Sequence, residues 1–146
     1  MTDPEPDHPL ERTPPRDILA EQASLGACLL SPIACAEVLA AAAPEAYYQP
    51  RHATIYRTIA DLFMAGEPVD QIAVGKRLAD RGELGKIGGQ AYLYELEQAV
   101  PTAANGEYYA DIVQDRGLRR ALIELGTRLV QMGYTPDGAT SELIER

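Results

Sequence analysis

The residues best equipped for chemistry in this chain are few, and each lacks the companions its chemistry demands. Gly82, Gly85, Lys86, Gly88 and Gly89 form a glycine-rich run that invites comparison with a phosphate-binding loop. Such a loop needs a Gly five residues before its Gly-Lys pair and a Ser or Thr after the Lys. Asp80 and Ile87 hold those positions, and no strand pattern precedes them, so the run reads as a helix stop followed by a close-packed helix start. His52 could act as a general base, but no nucleophile or metal partner accompanies it in the sequence. It reads as a structural histidine near a helix amino terminus. Cys28 and Cys35, with no His or further Cys close by, fit neither a zinc pattern nor a disulfide framework and read as buried thiols. Acidic residues such as Glu95 and Glu97 fall on solvated faces, without paired-carboxylate or metal-ligand spacing. No catalytic, cofactor-binding or metal-binding residue is therefore expected.

The remaining conspicuous side chains suit contact rather than reaction. Tyr47-Tyr48 and Tyr108-Tyr109 are doublets that serve either a core with a wet hydroxyl or an interface, where Tyr supplies area and a polar tip. For Tyr108 and Tyr109 the two readings are even. Leu118, Leu122, Leu125 and Leu129 recur at three- and four-residue steps, and Ile123 and Val130 point to another side. One globular head cannot cover them all. With Met132 and Tyr134 they make the candidate protein interface Tyr108, Tyr109, Leu118, Leu122, Leu125, Leu129, Met132 and Tyr134.

These residues must be positioned by helices. The chain has 146 residues, 46% of them hydrophobic but only 6% aromatic, with no Trp. Aliphatic side chains and Ala must fill the core, which favours closely packed helices. Residues 1–16 hold five prolines among acids and almost no large aliphatics, so they read as a disordered leader. A head follows over 17–104, and a long helix with the start of a hairpin over 105–146. In the head, a first helix over Ile18–Leu30 carries Leu19, Ala23, Gly26, Leu29 and Leu30 on one side. Ser31-Pro32 caps and opens a second helix through Leu39. A third follows Pro50 with Ile55, Ile59, Leu62 and Phe63, and stops at Gly66. Asp70 caps a fourth carrying Ile72, Val74 and Leu78, which Gly75 should loosen by about 1 kcal/mol relative to Ala. Gly88-Gly89 opens a fifth with Tyr92, Leu93, Leu96 and Val100. Pro101 ends it, and Thr102 or Asn105 starts a sixth that runs to about Gln131. Residues 133–138 read as a tight connection, with Thr140 or Ser141 capping an element that the sequence cuts off after one turn. That ending suggests a fragment, with a naturally short protein as the other possibility. The expectation is an all-α fold, a compact orthogonal bundle of five to six helices plus a long helix.

The formal net charge is −9. Nucleic-acid affinity rests mainly on Lys and Arg neutralising phosphates, so direct DNA binding is not expected. The one basic cluster, Arg116, Arg119 and Arg120, reads as solvated or ion-paired. No apolar run reaches membrane-spanning length and no signal pattern opens the chain, which predicts a cytoplasmic protein.

A series of motifs in order carries a family resemblance. Glu21-Gln22-Ala23 with Leu25-Gly26 and Leu29-Leu30 resembles the opening helix of the amino-terminal domain of DnaB-type bacterial replicative helicases. Tyr47-Tyr48-Gln49-Pro50-Arg51-His52 with Ile55-Tyr56 is similar to that family's aromatic–Pro–His–Ile element. Gly66-Glu67-Pro68-Val69-Asp70, then Gly88-Gly89-Gln90-Ala91-Tyr92-Leu93, follow in register. Pro101-Thr102-Ala103-Ala104-Asn105 and Tyr109-Ala110-Asp111-Ile112-Val113 complete the series over about residues 18–146. The resemblance implies the collar of a ring-shaped hexamer, which associates with itself and on which primase, and a helicase loader, would dock. It implies that ATP and Mg belong to a motor domain this sequence does not contain, and that the collar itself is not catalytic. The competing reading is a free-standing adapter of the same fold that binds helicase or primase.

Overall fold

In the computed structural model, residues 12–135 are described, and they contain helices and turns but no strand. Six α-helices follow one another: α1 (Ile18–Leu30), α2 (Pro32–Ala41), α3 (Pro50–Met64), α4 (Gln71–Asp80), α5 (Gly89–Ala99) and α6 (Gly106–Tyr134). Single 3-10 turns at Pro44–Ala46, Gly85–Ile87 and Ala103–Asn105 link them. The all-α fold expected from the sequence is what forms. The expected leader lies outside the described residues over 1–11, and the proposed second arm of a hairpin lies outside them over 136–146.

Local chemistry explains the boundaries. Asp17 Oδ1 accepts from the Ala20 amide at 2.9 Å and Asp70 Oδ1 from the Ala73 amide at 2.8 Å, so both helices begin on a side-chain cap. Ser31 serves two helices at once. Its amide donates to the Ala27 carbonyl (3.1 Å) and closes α1, while its Oγ accepts from the Ala34 amide (3.2 Å) and opens α2. Pro32 and Pro50 sit in first turns, where their missing N–H is not needed. Both α3 and α4 end in a Schellman motif: Gly66 and Gly82 adopt φ of 71°, and the next amide reaches back to Leu62 or Leu78. Thr102 caps the short turn before α6, accepting from the Ala104 amide at 3.3 Å. The long helix continues through Tyr134, so Gly133 belongs to the helix and not to the tight connection the sequence suggested.

The chain divides into two compact units. One is residues 16–117, and the described residues 12–15 and 118–135 belong to the other. In the first, α1 is the central element, packed against α2, α3 and α5, and α4 closes against α3 and α5. Its core is built from Leu25, Cys28, Ile55, Tyr56, Ile59, Leu78, Leu93 and Leu96, all fully buried. Gly26 lets α1 approach α5 so closely that a Cβ there would collide with the Leu96 carbonyl oxygen. The first turns of α6 bury Gly106, Ala110 and Val113 in this unit.

Three expected core residues lie elsewhere. Leu19 is 77% exposed, Leu30 50% and Ile72 75%. Helical spacing alone placed them inward, but α1 is buried along Ala20, Ala23, Ser24 and Ala27, and α4 along Val74, Gly75 and Leu78. Gly75 is also not a mere weak point. The Gln90 side chain occupies the space its Cβ would fill, and Gln90 Nε2 donates to the Gln71 carbonyl at 2.8 Å.

Candidate functional site

The chemistry-bearing residues gather inside the head. His52 stands in the first turn of α3, Glu21 in the first turn of α1 and Tyr92 in α5, and all three are buried. A carboxylate only accepts, so His52 Nδ1–H donates to Glu21 Oε1 at 2.8 Å. In the neutral imidazole Nε2 then accepts the Tyr92 O–H at 2.5 Å, and the Tyr92 oxygen accepts from Gln22 Nε2 at 3.3 Å. Glu21 also takes the backbone amides of Tyr48 (2.7 Å, at Oε2) and Gln49 (3.3 Å, at Oε1). Above the ring of Tyr92 lies the Arg51 guanidinium, 3.7 Å from its centroid. The order carboxylate–imidazole–hydroxyl is that of a nucleophilic triad, yet the hydroxyl is buried and bonded on both sides. What it does is satisfy polar groups of three helices and the Tyr48–Gln49 backbone at once. The structural reading of His52 thus gains the partners that sequence proximity could not show, 31 and 40 residues away. One signal was present: Glu21 lies on the same side of α1 as Ser24 and Leu25, where an acid needs a buried partner.

A second polar cluster follows the same rule. Ser24 Oγ donates to the Glu21 carbonyl (2.9 Å) and so accepts the Tyr47 O–H (2.8 Å). Tyr56 Oη donates to the Ala42 carbonyl at 2.7 Å, and the rings of Tyr47 and Tyr56 lie 4.4 Å apart. Burial pushes the Tyr47 phenol well above its ordinary range, and burial likewise raises Tyr56. Cys28 and Cys35 are free and buried. The hydrogen bond to Cys35 holds the Cys28 thiol well above the usual value, while the same bond lowers Cys35. The Gly85-Lys86 pair lies in a 3-10 turn between two helices. No group of three potential metal ligands occurs among the described residues. Of the basic cluster, Arg116 pairs with Asp115 at 2.6 Å and Arg120 donates to the Pro15 carbonyl at 2.7 Å.

The candidate interface has a different character. Leu118, Leu122, Leu125 and Leu129 are exposed, between 47% and 69%, and Met132 is partly buried. Their steps of four, three, four and three residues trace one seam along the far half of α6, the spacing of a coiled-coil stripe. Ile123 and Val130 are exposed beside it, and Tyr134 is exposed at the end. The two tyrosines at the base part company. Tyr108 is exposed, while Tyr109 is partly buried against Ala23, Ala27, Ala34 and Val100, with the rings edge-to-face at 5.7 Å. No helix among the described residues is long and apolar enough to cross a membrane.

Comparison with known proteins agrees with this geometry. The chain is 47% identical over 134 residues to the replicative DNA helicase DnaB of Leifsonia xyli subsp. xyli, covering 92% of this chain and 29% of that protein. It is 46% identical over 143 residues to the DnaB of Mycobacterium leprae, covering 97% and 24%. The chain thus spans less than a third of the length of these curated relatives. Among solved structures it resembles the N-terminal domain of DnaB helicase from Mycobacterium tuberculosis, with a TM-score of 0.85, 47% identity and coverage of 92% and 94%. It also resembles a DnaB-like replicative helicase described with its interactions with primase, with a TM-score of 0.70, 25% identity and coverage of 88% and 34%. The family described as DnaB-like helicase N terminal domain matches residues 13–115, and the chain belongs to that family.

Proposed function

We propose that this chain is the collar and assembly domain of a hexameric, ATP-dependent replicative DNA helicase, active in the cytoplasm. It acts by association and has no catalytic residue of its own. ATP and Mg are handled by a motor domain elsewhere in such a protein, and DNA is not bound directly by this acidic domain. Primase docks on the collar, as does a helicase loader. The observation that carries the reading is the seam of Leu118, Leu122, Leu125 and Leu129, four large aliphatic side chains left in solvent on one helix face. Monomeric proteins rarely leave such a strip uncovered. The described interactions of a DnaB-like relative with primase support the docking role.

Sedimentation of the chain tests the assembly role. The wild-type chain is expected to dimerise as its concentration rises, and Leu122→Glu with Leu129→Glu is expected to give a folded monomer. An unchanged dimer in that variant would move association to the head, and unfolding would make these leucines core residues. Binding of purified primase to the wild-type chain, measured separately, tests the docking role.

A further inference from the structure

One surface of the head is unused by the assembly reading. Ile72 is an isoleucine in solvent, and it borders a groove of about 530 Å³ between α4 and α5. Gly75, Ala79, Leu84 and Gln90 line it as well, with the Gln90 side chain lying on Gly75. Gln90 is fixed there, because its amide donates to the Gln71 carbonyl while its oxygen lies over Gly75. The groove is therefore preformed and mostly apolar.

Its charge is uneven. At the Gln71 end stand Asp70 and Glu97. Gln71 Nε2 donates to Glu97 Oε2 at 3.2 Å, and Asp70 is the cap of the same helix. None of the ion pairs described within the head supplies either with a cation. Burial and the charge of Asp70 raise the Glu97 carboxyl, the mark of two acids crowding one another. A turn along α4 from Ile72, Lys76 lines the groove and disfavours positive charge there.

We infer that the α4–α5 groove docks an amphipathic helical segment of another protein, with aliphatic anchors over Ile72, Ala79 and Leu84 and a Lys or Arg against Asp70 and Glu97. Helix-in-groove recognition reads such anchors at i and i+4. The cation relieves the repulsion between the two carboxylates, and Lys76 sets which way round the segment lies. None of the groove's lining residues belongs to α6, so docking there does not depend on self-association through the seam.

The test is titration of the isotope-labelled full chain with a synthetic amphipathic peptide of about 18 residues, roughly five helical turns. The peptide carries Leu on one face and Arg and Lys at one end. Saturable shifts confined to the amides of Ile72, Gly75, Ala79, Leu84 and Gln90 are expected. Ile72→Glu should weaken binding by about tenfold or more, the loss of a buried anchor. Asp70→Asn with Glu97→Gln keeps the cap and the Gln71 bond, and should weaken binding about two- to fivefold while flattening its salt dependence. Circular dichroism checks that both variants fold. Absence of saturable shifts, shifts mapped to another surface, or wild-type affinity in Ile72→Glu would overturn the inference. So would occupation of the groove by a second copy of this chain.

Discussion

At the scale of single residues, the buried carboxylate of Glu21 ties α1 to α3 and to the Tyr48–Gln49 backbone. It accepts from one imidazole and two backbone amides, so its removal leaves three donors without partners in the interior. Glu21→Ala is expected to destabilise the domain by about 2–4 kcal/mol in urea unfolding, since each unsatisfied buried polar group is costly. Tyr92→Phe removes the hydroxyl shared by His52 Nε2 and Gln22 Nε2 and should lose about 1–2 kcal/mol. A loss below about 0.5 kcal/mol for Glu21→Ala would mean water replaces the carboxylate, contrary to its burial. The two buried phenols make a separate prediction. A tyrosine whose folded value is raised stays neutral in the fold while the unfolded chain ionises near pH 10. The stability it contributes is whole below that pH and is lost as the pH climbs toward the folded value. Of eight tyrosines, Tyr47 and Tyr56 should therefore stay silent in an ultraviolet titration until alkaline unfolding releases them. Early, reversible ionisation of all eight would contradict their burial.

At the scale of elements, the caps decide where each helix begins. Ser31→Ala leaves the amide that closes α1 but removes the oxygen that opens α2, and should lower stability by about 1 kcal/mol in chemical denaturation. If Ser31→Ala is neutral, Pro32 alone starts α2. Caps of this kind, local and spelled out in residue type, were legible in the sequence: Ser31, Asp70, Gly66 and Gly82 mark real boundaries. The helices and their order followed from them. Which side each helix buries was less legible, as Leu19, Leu30 and Ile72 demonstrate. A short, Ala-rich helix has no wide apolar stripe to orient it, so small residues such as Ala23, Gly26 and Gly75 end inside because backbones and side chains must pass close to them. The polar network was hidden for another reason. Its members belong to three helices, and only the packed fold brings a carboxylate of α1 beside an imidazole of α3. The seam on α6 was legible throughout, because its spacing lies within one continuous helix.

At the scale of the whole molecule, two units differ in how they treat apolar surface. Residues 16–117 enclose a core of Leu25, Ile55, Ile59, Leu78 and Leu93 while leaving Leu19, Leu30 and Ile72 in solvent, whereas the described residues 118–135 leave Leu118, Leu122, Leu125 and Leu129 exposed along one seam. The head can therefore tolerate charge on α6 where it cannot tolerate it on α5, which is why the paired glutamate substitutions are expected to separate association from folding. The close seating of α1 on α5 bears on time as well as on stability. Gly26 meets the Leu96 carbonyl, and Gln22 bonds Tyr92 across seventy residues of chain. Loop closure over that span precedes the reward for it, so contacts of this kind form late and slow the folding step. During synthesis Glu21 of the central helix and His52 of α3 must wait for α5 to leave the ribosome before Tyr92 can complete their network. A chain ended after residue 88 should accordingly show little helical circular dichroism and a broad, uncooperative melt, although it contains four of the five helices of the head. Cooperative melting of that shortened chain would show that α1 to α4 fold first and that α5 merely docks.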